Sequence, residues 1–224
     1  RNLPIIYDQI HLSLLTGYKL EYLIKVSNAP SHFYRTFQIP KKRNNEFRLI
    51  KEPLPNLKFI QRWILDNILN QLEPSPYTKA FRKGYSIKDN AKFHIGQKKL
   101  LSLDIKSYFD SINYKMVYTF FRSLKYSKSV AVMLSNICTL NDSLPQGAPT
   151  SPMLANLITK RLDKRLAGYA NKNNLRYTRY ADDITISGDF NEGPVIRVVK
   201  SILNTEGFKI NDNKTRIRKR NQQQ

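Results

Sequence analysis

The stretch LRYTRYADDITISG, Leu175 to Gly188, reads as two short strands joined by a tight turn. Leu175, Tyr177, Thr178 and Tyr180 favour a strand on the left; Ile184, Thr185, Ile186 and Ser187 alternate on the right before a glycine stop. Asp182 and Asp183 then fall side by side at a hairpin tip. Two ionised carboxylates this close repel each other, and a fold holds them most easily when a cation lies between them and a substrate. Oxygen ligands with no His or Cys nearby point to Mg²⁺ rather than zinc. An Asp-Asp pair also serves as an ordinary polar turn, so the rest of the chain has to decide.

Charge is the most informative global number. Lys plus Arg total 38 against 17 Asp plus Glu, a formal net of +21 over 224 residues. Such a surplus repels itself unless a polyanion offsets it. Nucleic acid rewards it through counterion release. An anionic membrane is the rival, but no segment is a continuous basic amphipathic helix, no apolar run has spanning length, and no signal-peptide pattern is present. The single cysteine, Cys138, lies in an apolar run and reads as a buried small hydrophobe. Without an internal disulfide framework, the chain suits a reducing, cytoplasmic setting. It starts at Arg1 and stops at Gln224 after a basic run, which leads us to expect a longer protein.

Outward from the hairpin, helices are expected over Leu3–Leu15 and, capped by Thr16, along Leu20, Leu23 and Ile24 up to Pro30. Phe33–Pro40 and Glu46–Lys51 form a strand pair around the basic turn Lys41-Lys42-Arg43. Leu57–Leu72 has helical spacing, and Ser86 caps a short helix. The loop Ala80–Tyr85, with Phe81, Arg82, Lys83 and Tyr85, suits either phosphates and stacked bases or a plain surface. Leu100–Ile105 is a buried strand whose end carries Asp104, a costly carboxylate unless paired or metal-bound. Asn113 and Ser127 cap two helices. LPQGAPTSP, Leu144–Pro152, is a rigid loop feeding a helix capped by Ser151 and running to about Tyr169, with Gln146 ahead of its N-terminus. Pro194–Leu203 is helical, Gly207–Asn211 a short strand, and Asn213–Arg220 a basic strand.

Asp104, Asp182 and Asp183, a basic hairpin, a Gln-bearing loop and a late lysine all suit phosphoryl transfer on nucleic acid. That chemistry calls for two divalent ions to activate a hydroxyl and stabilise the departing pyrophosphate. The order of motifs resembles the reverse transcriptases. LSLDIKSYFDSI resembles that family's first aspartate motif and YADD its second. LPQGAPTSPMLANL resembles the template and nucleotide loop-helix, EGFKINDNK the lysine motif, and FQIPKK through FRLI the fingers hairpin. Asn28-Ala29-Pro30-Ser31-His32 resembles the Asn-Ala-x-x-His signature of bacterial retron reverse transcriptases, and Ala148 is also retron-like. The Val-Thr-Gly element and the thumb of that family are expected beyond Gln224.

The resemblance implies an α+β right-hand polymerase: an N-terminal extension over 1–32, fingers over 33–97, palm over 98–116 and 145–224, and a helical connection over 117–144. Asp104, Asp182 and Asp183, with the Ile105 carbonyl, are implied to hold two Mg²⁺, with Mn²⁺ as a substitute. Lys41 (or Lys42) and Arg48 are implied to hold the dNTP triphosphate, Gln146 its sugar and base side, and Lys214 the pyrophosphate. Phe109 is implied to lie under the sugar and exclude a 2′-hydroxyl. Lys42, Arg43, Arg82, Lys83, Tyr85, Pro145, Gly147 and Tyr180 are the nucleic-acid contacts expected.

For partners, the resemblance implies a structured noncoding RNA that is both template and primer, a branched RNA–DNA product begun at a 2′-hydroxyl, and a toxic effector protein in phage defence, with no membrane. Two rival readings remain at this point: a group II intron-type or other bacterial reverse transcriptase, and an RNA-binding scaffold that restrains an effector.

Overall fold

The computed structural model describes residues 3–40 and 47–219. The chain divides into two compact units, one of residues 1–73 and 112–158, the other of 74–111 and 159–224. This division is drawn differently from the boundaries implied above: residues 74–97 group with the Asp-Asp hairpin, and 112–116 and 145–158 with the N-terminal part. Lys41, Lys42 and Arg43 lie outside the described residues.

In the first unit, α1 (Gln9–Thr16) is capped by Asp8, whose side chain accepts from the His11 amide at 2.7 Å. Thr16 does not cap the next helix as expected; its hydroxyl bonds back to the Leu12 and Ser13 carbonyls. α2 (Leu20–Asn28) buries Leu23, Val26 and Ser27, and Ile24 turns outward. After one 3₁₀ turn, β1 (Tyr34–Pro40) pairs antiparallel with β2 (Phe47–Pro53). α3 (Pro55–Asn67) starts on a proline and buries Leu57, Ile60 and Ile64 at helical spacing. α5 (Tyr114–Ser123) and α6 (Lys128–Cys138) are capped by Asn113 and Ser127, as their sequences require. Cys138 is fully buried, and desolvation pushes its thiol up to about 12, so it stays protonated.

The helix expected from Ser151 to Tyr169 is broken. α7 (Ser151–Ile158) ends at Thr159, where ψ is 8°, and α8 (Lys160–Lys172) begins anew in the second unit. Ser151 is the first residue of α7 rather than its cap, and its hydroxyl donates to the Pro145 carbonyl at 2.8 Å.

The second unit is built on a four-stranded antiparallel sheet in the order β4 (Arg176–Tyr180), β5 (Asp183–Gly188), β3 (Lys99–Asp104), β6 (Arg216–Lys219). The register sorts the side chains by period two. Leu101 and Leu103 stand beside Ile186 and Ile184, and that face also carries Tyr177, Arg179 and Ile217. α8 packs behind β4 and against α9 (Glu192–Thr205). The opposite face carries Asp104, Asp183, Tyr180, Ser102 and Arg216. Residues Tyr77–Lys79 cover the free edge of β4 through the Arg179 amide to the Tyr77 carbonyl and the Lys79 amide to the Arg179 carbonyl. α4 (Ile87–Lys92) carries a Ser86–Asp89 capping box. Gly207–Asn211 forms one bridge, Ile105 with Ile210, instead of a strand.

Candidate active site

β3 and β5 are in register to their last pair, so Asp104 and Asp183 face each other across the sheet at its polar end. Asp182 follows Ala181 in the two-residue link to β4, since Tyr180 pairs with Asp183. Asp183 therefore opens a strand, and only Asp182 is at the tip itself. Ala181 has φ +57°, the left-handed region, which costs a non-glycine residue about 1–2 kcal/mol. The turn persists because both of its carbonyls are held. The Ile105 amide donates to the Asp182 carbonyl at 2.9 Å, and Arg179 Nη1 donates to the Ala181 carbonyl at 2.8 Å.

Asp104 and the distant pair Asp182–Asp183 thus converge in one unit. Asp104 is buried, Asp182 half-buried and Asp183 the most exposed of the three. Burial, then the neighbouring charge of Asp104, raises the Asp182 carboxyl above the usual aspartate range. Asp183 is pushed up to about 6 by desolvation and by the charges of Asp182 and Asp104. Lys214, in a 3₁₀ turn after Asn211, donates to Asp104 Oδ2 at 2.9 Å, and its ammonium is held above its ordinary range by that bond first. The Asn211 amide donates to the Asp104 carbonyl at 2.8 Å, fixing the lysine turn against the end of β3.

No group of three His, Cys, Asp or Glu among the described residues is assembled as a metal site. The donor chemistry nonetheless fits a hard divalent cation. The set is all oxygen, its carboxylates are destabilised by mutual repulsion, and one of them already takes the Lys214 ammonium as a positive partner.

A testable consequence concerns pH. A carboxyl whose folded pKa lies above its unfolded value stabilises the fold below the unfolded pKa and loses that contribution as pH rises through the folded one. For Asp183 the window runs from the ordinary aspartate value of 3.8 to about 6. A cation that binds the ionised cluster reverses the trend. Melting curves with and without millimolar Mg²⁺ should coincide near pH 4.5 and separate above pH 6. An Mg²⁺ shift of the same size at both pH values would show that the ion acts elsewhere.

Sequence reasoning did not identify the group that holds this hairpin from behind. Arg179 is fully buried and uses all five of its N–H donors. Nε and Nη2 grip the two oxygens of Asp163 on α8 at 2.7 and 2.8 Å. Nη2 also reaches Thr159 Oγ1 at 2.8 Å, and Nη1 reaches the Tyr108 hydroxyl at 2.7 Å as well as Ala181. The Tyr177 hydroxyl donates to Asp163 at 2.7 Å.

The remaining residues are placed as follows. Phe109 is half-buried two residues before the end of its segment in the second unit, with its ring 6.2 Å from Phe81 and 5.6 Å from Tyr108. Arg82 is engaged within its own loop, donating to the Ser75 and Thr78 carbonyls and lying 4.4 Å over the Tyr85 ring, so it shapes that loop. Lys83 and Tyr85 are exposed, and Tyr180 is half-buried. Arg48, Gln146, Pro145 and Gly147 are in the first unit. The Gln146 carbonyl accepts the Lys51 amide at 2.7 Å, joining the rigid loop to β2. Gly147 has φ +124°, and a Cβ there would meet the Lys51 carbonyl at 2.8 Å, so the loop admits only glycine at this point. Asn28 ends α2, Ala29 precedes the 3₁₀ turn, and His32 is exposed within it.

A four-stranded antiparallel palm with carboxylates at adjoining strand ends, a lysine beside them and helices behind defines a template-directed nucleotidyltransferase of the right-hand fold. Residues 39–223 match the family model described as reverse transcriptase (RNA-dependent DNA polymerase). The retron Ec86 reverse transcriptase of Escherichia coli is 39% identical over 222 residues, an alignment covering 96% of this chain and 68% of that protein. The retron Mx65 reverse transcriptase of Myxococcus xanthus is 35% identical, with 93% and 53% covered. The chain therefore belongs to the reverse transcriptase family and is of the retron type. It spans about two thirds of the first relative and about half of the second. Telomerase from Candida albicans, solved with a fragment of telomeric RNA, shares the fold at a TM-score of 0.57 and 13% identity, over 84% of this chain and 43% of that one. Apo telomerase from Candida tropicalis does so at 0.56 and 14%, over 84% and 50%.

Described helices include none long and apolar enough to cross a membrane.

Proposed function

We propose that this chain supplies the catalytic part of an enzyme that copies a structured noncoding RNA into DNA from dNTPs. The observation that carries this reading is the convergence of Asp104, Asp182, Asp183 and Lys214 at one end of the palm sheet. Asp104, Asp182 and Asp183 would hold divalent ions, with Mg²⁺ the fitting species and Mn²⁺ a substitute. Such ions supply charge neutralisation at the transferring phosphate and a more acidic primer hydroxyl. The chain's own contribution is position and charge. The clamped turn fixes Asp182, the β3–β5 register fixes Asp183 against Asp104, and Lys214 brings a proton-bearing cation to the place where pyrophosphate charge develops. The net charge of +21 supports a nucleic-acid substrate.

The retron relatives support a finer reading: priming from a 2′-hydroxyl of the RNA, a branched RNA–DNA product, and a role in phage defence beside a toxic effector in the cytoplasm. The full-length protein, incubated with its copurifying RNA, labelled dNTPs and Mg²⁺, tests this. The expected product is a DNA that keeps an alkali-resistant RNA stub joined 2′–5′. Unbranched DNA would leave polymerisation standing and remove the branch. An enzyme inactive on any RNA template would leave only the scaffold reading.

The same reading makes Phe109 the sugar discriminator. Phe109→Ala is expected to raise ribonucleotide use relative to deoxynucleotide by about 10- to 100-fold, since steric exclusion of one small group is worth about 1–3 kcal/mol. Competitive single-nucleotide incorporation measures it, and an unchanged ratio assigns Phe109 to packing against Phe81 and Tyr108 alone.

A further inference from the structure

α3 buries one stripe, Leu57, Ile60 and Ile64, and leaves Lys58, Phe59 and Arg62 on the outward stripe. Phe59 is 66% exposed and contributes nothing to the core. A cleft of about 440 Å³ opens here, between the first two turns of α3 and the ends of β1 and β2, in the size range of small-ligand sites. Its lining combines apolar Pro53, Leu54 and Pro55 with charged Arg35, Glu52, Lys58 and Arg62. All of it belongs to the first unit.

The charges are arranged at a cost to the fold. Lys58 and Arg62 are like charges four residues apart on one helix, which is destabilising. They also sit in the first two turns of α3, near the positive end of its dipole, with no acidic residue in the first turn and no side-chain cap. Glu52 answers Arg35 at 2.6 Å and Lys58 at 2.9 Å. Arg62 has no carboxylate partner among the described residues, so the lining keeps an excess of positive charge. An exposed phenylalanine alone is ordinary. An exposed ring flanked by Lys58 and Arg62, in a cleft partly lined by apolar residues, has the composition of a surface that stacks a base and holds its phosphates.

We propose that this cleft binds an unpaired nucleotide of single-stranded RNA, with the base stacked on Phe59 and the adjoining phosphates held by Arg62 and Lys58. This rests on the RNA-copying reading above and adds a second contact for the RNA, on the unit that does not carry Asp104, Asp182 and Asp183. The site recognises the backbone and any π-face, so it is tolerant of sequence.

The test is fluorescence anisotropy of a labelled unstructured RNA dodecamer with the full-length protein across a salt series. Phe59→Ala is expected to weaken binding by about 5- to 150-fold. Arg62→Gln should lower the slope of log affinity against log salt by about 0.7. Both side chains are exposed, so circular dichroism should be unchanged. Asp182→Asn is run beside them and should lose dNTP incorporation while keeping full affinity for the dodecamer. Failure of the polymerase reading would appear as no incorporation by the unsubstituted protein, whatever the Phe59 and Arg62 variants do. Unchanged affinity and slope in both variants would overturn the cleft. Unchanged RNA affinity with loss of binding to a polyglutamate peptide would overturn it too, assigning the cleft to an acidic protein.

Discussion

Asp182→Asn is expected to lower dNTP incorporation on an RNA template by about 1,000-fold or more, with RNA affinity unchanged. The substitution keeps the shape of the side chain and the backbone of the turn. The Ile105 amide still reaches the carbonyl of residue 182, and Arg179 still reaches that of Ala181. Only the negative charge is lost. A carboxylate holding a divalent ion at a transferring phosphate supplies several kcal/mol, and about 4 kcal/mol is a factor of roughly 1,000. Asp104→Asn should fall as far and should also loosen Lys214, whose ammonium loses its anionic partner. The double variant should be no worse than about tenfold below either single one, because groups that act as one unit are not additive. Steady-state incorporation over a range of Mg²⁺ concentrations checks this. A loss under tenfold for both single variants would place the chemistry elsewhere.

The hairpin, the strand carrying Asp104 and the capped helices were legible because each is written locally. Alternation of Ile184, Thr185 and Ile186 fixes a strand, and Asn113 and Ser127 fix helix starts through a bond to the third amide onward. What failed needed tertiary information. The break at Thr159 has no proline or glycine to announce it. The Thr159 hydroxyl oxygen instead accepts from Arg179, so the chain departs from a continuous helix where a buried network claims a polar side chain. Thr16 looked like a cap but bonds to its own preceding turn. Gly207–Asn211 has the composition of a strand, yet it makes a single bridge, Ile210 with Ile105, because the lysine turn starts at once after it.

The buried cation left a trace that period counting could have found. In β4, Tyr177 and Arg179 alternate onto the face shared with Ile184 and Ile186. In α8, Asp163 sits beside Leu162 and in line with Leu166, Ala167 and Ala170 on the buried stripe. Opposite charges at core positions of two elements that pack together are each other's natural partners, since neither can be buried alone. Composition hid this, because two charged residues are inconspicuous in a chain with 38 basic ones.

That pair gives the second large effect. Asp163→Ala should destabilise the fold by about 3–5 kcal/mol, because it strands the fully buried Arg179 charge and takes the acceptor from Tyr177. At about 2–4 °C per kcal/mol for a chain of this size, the melting temperature should drop by roughly 6–20 °C. Replacing both partners by apolar residues of similar volume, Asp163→Leu with Arg179→Met, removes the stranded charge and should recover much of that loss. Activity should not return with it. The Ala181 carbonyl would lack its donor, and only the Ile105 amide would be left to hold the left-handed turn that sets Asp182 beside Asp104. Thermal melts and incorporation rates on the same three proteins separate the two roles. A double variant that regains both stability and rate would reduce Arg179 to a core filler. One that regains stability while remaining at least tenfold slow, with the loss in kcat and little change in KM for dNTP, makes it the residue that positions the catalytic turn.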